Sequence, residues 1–159
     1  KDKPIKNSVE WQSLDSEIAS VSPKGRVTGI AAGETTVTAS VPSGFGHGSL
    51  DFSVKVVPAL KKAAFYSPEG KRLTSINVKA GESLDLTRFL TEDSLVWGPG
   101  AEGFTDYEIS YSTTAKPSIL TVSSDGMVFC EGKGSGKVKL TVICGKQKKT
   151  TTLTVKVTV

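Results

Sequence analysis

The chain has 159 residues, of which 37% are apolar and 23% are charged, and its formal net charge is +4. This is too apolar for a disordered chain, and no apolar run reaches the roughly 20 residues that a membrane-spanning helix needs. Sixteen glycines and seven prolines, together with many threonine, serine and valine residues, favour short strands joined by tight turns.

Apolar and polar residues alternate with a period of two along most of the chain, which predicts strands with one face in water. Glycine or proline separates these segments at intervals typical of an all-β sandwich. Residues 86–97 alone could hold a helical turn. In chain order, the alternating segments are 9–11, 18–21, 36–41, 50–56, 76–78, 83–86, 138–142 and 153–159.

An internal repeat is the strongest signal in the sequence. Residues 18–41 align with residues 119–142 at a constant offset of 101, and eight of the 24 positions are identical, where about two would be expected by chance. We therefore expect two copies of one unit. The identical pairs are Ile18/Ile119, Val21/Val122, Ser22/Ser123, Gly25/Gly126, Val27/Val128, Gly33/Gly134, Val37/Val138 and Val41/Val142.

The two copies differ in what precedes the repeat. The second has segments at 65–66, 76–78 and 84–86 that predict leading strands, whereas the first has room for one strand, at 9–11. We expect the first copy to lack its opening strands, which upstream sequence or another chain would supply. Alternation stops near Pro58, so the predicted domains are 1–58 and 59–159, the second with a long loop at 91–107.

Residues 9–39 carry a recognisable pattern: Val9-Glu10-Trp11, then Ile18-Ala19-Ser20-Val21, then a glycine-punctuated segment from Gly25 to Ala39. This resembles the bacterial immunoglobulin-like domain, group 2. The second copy resembles it more weakly, with Tyr111 where the family has Trp and with Phe129, Cys130 and Glu131 in place of Thr-Gly-Ile.

The resemblance implies two tandem immunoglobulin-like Greek-key β-sandwiches, the first without its N-terminal strands. It also implies a spacer or adhesive module of bacterial surface proteins, including intimin-like and invasin-like adhesins, in an extracellular or cell-surface location. It implies neither catalytic residues nor a cofactor.

Six residues have predicted structural roles. Gly25 and Gly126 suit turns with positive φ, and Gly33 and Gly134 suit tight crossovers between sheets. Trp11 is most simply a plug in the core, and Tyr111 takes its place in the second copy.

No constellation in the sequence predicts catalysis or metal binding. His47 is the single histidine and lies in a predicted hairpin tip with no nucleophile pattern beside it. Residues 132–137 resemble a phosphate-binding loop, but Glu131 and Val138 break the required spacing. The acidic residues of the long loop have no calcium-ligand spacing; they are Glu92, Asp93, Glu102, Asp106 and Glu108.

The best candidate for recognition is the loop 91–107, which carries Trp97, Phe104 and Tyr107 among glycines. These rings could stack on sugars or anchor a protein partner, or they could fold back and cap the core. The cysteines, Cys130 and Cys144, share parity with apolar neighbours, which favours two buried thiols over a disulfide.

We expect a non-catalytic structural module of a large bacterial cell-surface or secreted protein, with neighbouring domains of the same polypeptide as its partners. The alternative is an adhesive module that binds a glycan or a host surface protein through loop 91–107. Nucleic-acid binding is not expected, because few aromatic residues lie near the basic turn around Gly145. Membrane insertion by this segment is not expected either.

Overall fold

The computed structural model describes residues 9–41 and 48–159, and they form an all-β protein, as predicted. The chain divides into two compact units. The first contains residues 1–58 together with 99–104, and the second contains residues 59–98 and 105–159. No helix in the described ranges is both long and apolar enough to cross a membrane. The assignment of both units to tandem immunoglobulin-like sandwiches stays a prediction.

The first unit has five strands in its described part. A three-stranded sheet has the order β1-β4-β5, and β2 pairs with β3 in a separate antiparallel hairpin. The bounds are β1 Glu10–Ser13, β2 Ala19–Val21, β3 Val27–Gly29, β4 Gly33–Val41 and β5 Gly48–Val56. The alternation of β4 places Thr35 and Val37 on the buried face, as expected of a half-buried strand.

The second unit has eleven strands and two short 3-10 helices. Its main sheet has the order β12-β15-β16-β9, in which β9 runs parallel to β16. The facing sheet has the order β10-β14-β13, and the remaining strands pair as β6 with β11 and β7 with β8.

The bounds in the second unit are β6 Leu60–Ala63, β7 Phe65–Tyr66, β8 Arg72–Leu73, β9 Ser75–Lys79, β10 Ser83–Asp85, β11 Leu95–Trp97, β12 Glu108–Thr113, β13 Leu120–Val122, β14 Met127–Cys130, β15 Gly134–Cys144 and β16 Gln147–Thr158. The 3-10 helices η1, Leu86–Phe89, and η2, Glu92–Ser94, lie where the sequence allowed a helical turn. Asp85 starts the first of them, because its carboxylate accepts a hydrogen bond from Thr87 N at 2.9 Å.

The core of the second unit is a cluster of side chains from both sheets. Val138, Leu140, Val142, Leu153 and Val155 come from the main sheet and are fully buried. Leu86, Leu120, Val128 and Cys130 come from the facing layer. This interdigitation of two inner faces is the packing expected of a sandwich.

The repeat seen in the sequence is also a repeat of strand register. Val37 pairs with Phe52 in the first unit, and Val138 pairs with Leu153 in the second, so the offset of 101 continues through the whole β4–β5 hairpin. The turn between β2 and β3 repeats as well. Gly25 N donates to Ser22 O at 2.8 Å, and Gly126 N donates to Ser123 O at 3.2 Å. β1 to β5 therefore correspond to β12 to β16.

Candidate functional site

An aromatic ring lies against the turn glycine in each unit. A Cβ atom built on Gly25 would lie 2.7 Å from the Trp11 ring, and one built on Gly126 would lie 2.8 Å from the Tyr111 ring. The φ angles of the two glycines are 77° and 93°. Both the backbone angle and the ring therefore require glycine here. The sequence indicated the angle, and the contact with the ring comes only from the structure.

Each crossover glycine also lies in close contact with an isoleucine, and this contact is repeated in the two units. A Cβ atom built on Gly33 would lie 2.9 Å from Cδ1 of Ile18, and one built on Gly134 would lie 2.9 Å from Cδ1 of Ile119. Real Cβ atoms do not approach this closely, so each isoleucine packs on a bare backbone. These four glycines shape the sandwich and do not line a ligand site.

Trp11 and Tyr111 occupy equivalent places, and both are half-buried. Trp11 is half-buried, stacks on Phe52 with ring centroids 6.1 Å apart, and borders an open groove of about 600 Å³. Tyr111 packs against the core cluster, and its burial, reinforced by the Asp85 carboxylate, raises the pKa of its hydroxyl. The Trp11 ring packs on Gly25 and Phe52 and also borders the groove, so its role as a plug in the core stays a prediction.

The segment 91–107 is not one long loop, because it contains η2 and strand β11, which ends at Trp97. Trp97 and Tyr107 are half-buried, their ring centroids lie 5.4 Å apart with a tilt of 46°, and both pack against the core of the second unit. Phe104 is half-buried in the segment 99–104, which groups with the first unit. For Trp97 and Tyr107 this arrangement favours the capping interpretation, because rings that pack on a core offer less surface to a sugar.

The short segment 99–104 is held within the first unit by its backbone. Ala32 N donates to Gly100 O at 2.7 Å. A Cβ atom on Gly100, whose φ is 76°, would lie 2.5 Å from Ile30 O. A side chain at position 100 would therefore break this contact.

The two cysteines are buried thiols and are not joined to each other in a disulfide. Burial, reinforced by the Glu82 and Glu131 carboxylates, raises the pKa of the Cys130 thiol. A raised pKa keeps a thiol protonated and poorly nucleophilic. This environment is that of a small core residue and not that of a catalytic cysteine.

One of the remaining chemical candidates, the segment 132–137, has a structural explanation. In the segment that resembles a phosphate loop, a Cβ atom on Gly132 would lie 2.7 Å from Ser118 O, and one on Gly136 would lie 2.6 Å from the Leu120 side chain. The acidic residues of loop 91–107 are exposed, and the described residues contain no group of three potential metal ligands. His47 lies outside the described residues.

Two exposed carboxylates accept hydrogen bonds from serine hydroxyls within their own turns. Ser123 donates its hydroxyl to Asp125, and this hydrogen bond lowers the pKa of the Asp125 carboxyl. Ser67 acts in the same way on Glu69. Such local hydrogen bonds are typical of tight turns and need no ligand.

Residues 2–52 match the family model described as bacterial Ig-like domain (group 2). The match confirms the resemblance of this part of the chain to the group 2 bacterial Ig-like domain. The matched residues include Trp11, the turn glycine Gly25 that its ring contacts, and the crossover glycine Gly33. The family membership of the second unit stays a prediction.

The chain is similar to part of an alpha-L-arabinofuranosidase from Bifidobacterium longum subsp. longum, with 28% identity over 126 residues. The alignment covers 78% of this chain and spans 11% of that protein's length. The segment thus corresponds to a small part of a much longer polypeptide.

Two solved structures are similar to this chain, and the first of them shows the fold. Extracellular domains 3–5 of Drosophila OTK match with a TM-score of 0.56 and 10% identity, over 96% of this chain and 52% of that one. Domains 4 and 5 of the S-layer protein SbsC match with a TM-score of 0.42 and 21% identity, over 96% of this chain and 71% of that one.

Proposed function

We propose that the chain is a non-catalytic spacer module of a large bacterial cell-surface or secreted protein. Its task is to hold other domains of the same polypeptide at a distance from the envelope or from each other. The match of residues 2–52 to the group 2 bacterial Ig-like domain supports this proposal, as does the similarity of the chain to a small part of a much longer protein. The observation on which the proposal rests is the parallel pairing of β9 with β16 in the second unit.

β9 and β16 form a parallel ladder that extends to the C-terminal end of the second unit. Thr154 N donates to Thr74 O at 3.0 Å, and Ala80 N donates to Thr158 O at 2.8 Å. A pull transmitted to the N-terminal end of β9 and to the C-terminal end of β16 draws these parallel neighbours in opposite directions along their length. Under such a pull the hydrogen bonds of the ladder share the applied force, so they must break together.

The register identifies which amides take part. Ile76 lies opposite Val155 and Val78 lies opposite Val157. Because bonding alternates along a parallel strand, the amides of Ile76 and Val78 point toward β16, whereas the amide of Asn77 points to the outer edge. Proline at position 76 would remove a ladder hydrogen bond, whereas proline at position 77 is tolerated because that amide faces the outer edge of the sheet. Comparing the two proline variants therefore separates the effect of the ladder hydrogen bond from other effects of proline.

The test is single-molecule stretching of the full chain held between handle proteins. We expect the second unit to unfold in one step that releases roughly 350 Å of chain, the extended length of residues 59–159. Ile76→Pro should lower the unfolding force clearly, and Asn77→Pro should change it little. Ile76→Ala measures how much of the loss in unfolding force is due to removal of the side chain.

Two results would count against the spacer role. One is a second unit that extends gradually without a force peak. The other is an equal loss of force in the two proline variants, which would show that the β9–β16 ladder does not carry the load.

A further inference from the structure

The outer face of the main sheet in the second unit carries lysines in successive rows. On β15 and β16 the side chains alternate between the buried core and this outer face. Alternate residues of β16, from Thr152 to Thr158, mark four rows across the sheet. Each row contains one exposed lysine, and the position moves from β15 to β16 to β9. We call this set the lysine stripe: Lys139, Lys137, Lys156 and Lys79.

The strand pairing sets the distance between the charges of the stripe. Lys139 and Lys137 are two residues apart on β15, so their Cα atoms are separated by about 7 Å. Lys156 and Lys79 each lie one row further and one strand across from the preceding lysine, which gives a separation of about 8 Å. The stripe therefore presents a positive charge every 7–8 Å or so along a diagonal of the sheet.

The charges of the stripe are not neutralised within the unit. Among the residues that the structure describes, none of the four ammonium groups forms an ion pair. Glu82 approaches one end of the stripe, where its carboxylate accepts a hydrogen bond from the backbone N of Lys79 at 3.2 Å. The other side chains in the rows are hydroxyls and one amide: Ser75, Asn77, Ser112, Ser135, Thr152, Thr154 and Thr158. A face that serves solubility alone intersperses both signs of charge, so this pattern favours an anionic partner.

A small hollow lies at the Lys139 end of the stripe. Its volume is about 150 Å³, and Lys137, Lys139, Ser112 and Thr152 are among its lining residues. The hydroxyl of Thr113, which also lines it, donates to Lys137 O at 2.8 Å. The hydroxyls of Ser112 and Thr152 form no hydrogen bond within the described residues. Two ammonium groups and two available hydroxyls can therefore donate to one tetrahedral anion in the hollow.

The chemistry of the face favours phosphate groups on a flexible chain. All four cations are lysines, which bind phosphate as point charges, whereas the planar fork of arginine matches a carboxylate. In the described residues, the outward positions of β9, β12, β15 and β16 carry no aromatic side chain. The face therefore offers no stacking surface for bases or for sugar rings.

We propose that the lysine stripe and its hollow bind an extended polyol phosphate polymer, in which phosphodiesters alternate with flexible polyol links. One phosphate occupies the hollow, and the phosphates that follow lie over Lys156 and Lys79. The hydroxyls of the rows donate hydrogen bonds to the phosphate oxygens. The assignment to a polymer of the bacterial envelope rests on the proposed function, whereas the charge pattern does not. This contact ties the spacer sideways to the envelope.

The probe is a synthetic poly(glycerol phosphate) long enough to span the stripe, added to the full chain. Calorimetry measures the affinity, and amide chemical shifts locate the contact. We expect the largest shifts at residues 137–139, 152–156 and 77–79. With four phosphates neutralised, the affinity should fall about 50-fold between roughly 50 and 200 mM salt.

Two triple variants with the same net charge test the role of the stripe. Lys137→Gln/Lys139→Gln/Lys156→Gln should lower the affinity by at least about tenfold and flatten its salt dependence. The matched control replaces three exposed lysines outside the stripe and should keep the affinity of the natural chain: Lys24→Gln/Lys61→Gln/Lys71→Gln. The dispersion of the amide spectrum verifies that each variant is folded.

Equal affinities of the two triple variants, or no binding at about 50 mM salt, would overturn the proposal. Tighter binding of polygalacturonate or of a thymidine oligonucleotide of equal charge would also overturn it, because the face would then select ring carboxylates or bases. The spacer role is tested by stretching the β9–β16 ladder without any polymer, so either proposal can fail without the other.

Discussion

Replacing Gly126 by alanine tests the packing of the Tyr111 ring on the turn. An L-residue at a φ of 93° costs about 1–2 kcal/mol. The new Cβ atom would also lie 2.8 Å from the ring, and this overpacking costs about 1–3 kcal/mol. We therefore expect Gly126→Ala to lower the free energy of unfolding of the second unit by about 2–5 kcal/mol.

Urea denaturation followed by tryptophan fluorescence measures this effect. The chain has two tryptophans, so a Trp11→Phe background leaves Trp97, in the second unit, as the reporter. Gly81→Ala is the matched control, because Gly81 has a φ of 84° and nothing within 4 Å of a built Cβ atom. It should cost only the backbone part, about 1–2 kcal/mol.

A double-mutant cycle isolates the ring contact. In a Tyr111→Ala background the steric part disappears, and Gly126→Ala should then cost about as much as Gly81→Ala. If Gly126→Ala costs the same whether or not Tyr111 is present, the ring does not determine the need for glycine, and the structural equivalence of Tyr111 with Trp11 loses its physical basis.

Three further predictions concern burial. Val128→Ala should lower the free energy of unfolding by about 2 kcal/mol in urea melts, because Val128 is fully buried. Val27→Ala should change it by less than about 0.5 kcal/mol, because Val27 is 40% exposed. Equal effects would contradict the difference in burial between the two valines. Trp97→Ala should destabilise the second unit by about 2–4 kcal/mol, while glycan-array signals stay unchanged; a glycan bound by the natural chain and lost in a stable Trp97→Phe variant would instead support the adhesive alternative. Because the pKa of Cys130 is raised in the folded state, its stabilising contribution is complete below the ordinary thiol pKa and is lost as pH rises through the raised value. The loss should be smaller in Cys130→Ala, measured by urea melts across alkaline pH, and an unchanged alkaline profile would argue against the buried neutral thiol.

Much of the fold could be predicted because its determinants are local. Alternation with a period of two places Val138, Leu140 and Val142 on one face of β15, and the structure buries all three. Gly25 and Gly126 have the positive φ that their turns require. The family resemblance of the first copy rested on such turn residues and same-face apolar residues, and the match over residues 2–52 confirms it.

The role of the aromatic residues in segment 91–107 could not be predicted in this way. Trp97 and Tyr107 are equally compatible with a sugar platform and with a cap when only their spacing is known. Their packing against the core depends on strands that lie far away in the chain. The same holds for Cys130, whose thiol lies beside the Glu82 carboxylate only because β10 pairs with β14.

The sequence by itself determined where the strands and turns lie and that the unit is duplicated, because alternation and glycine turns are properties of neighbouring residues. The tertiary structure alone decided that Val27 and Val128, which hold equivalent positions in the repeat, differ in burial. Burial depends on the strands that flank a side chain: Val128 lies between β10 and β13, whereas Val27 in the described residues pairs with β2 alone.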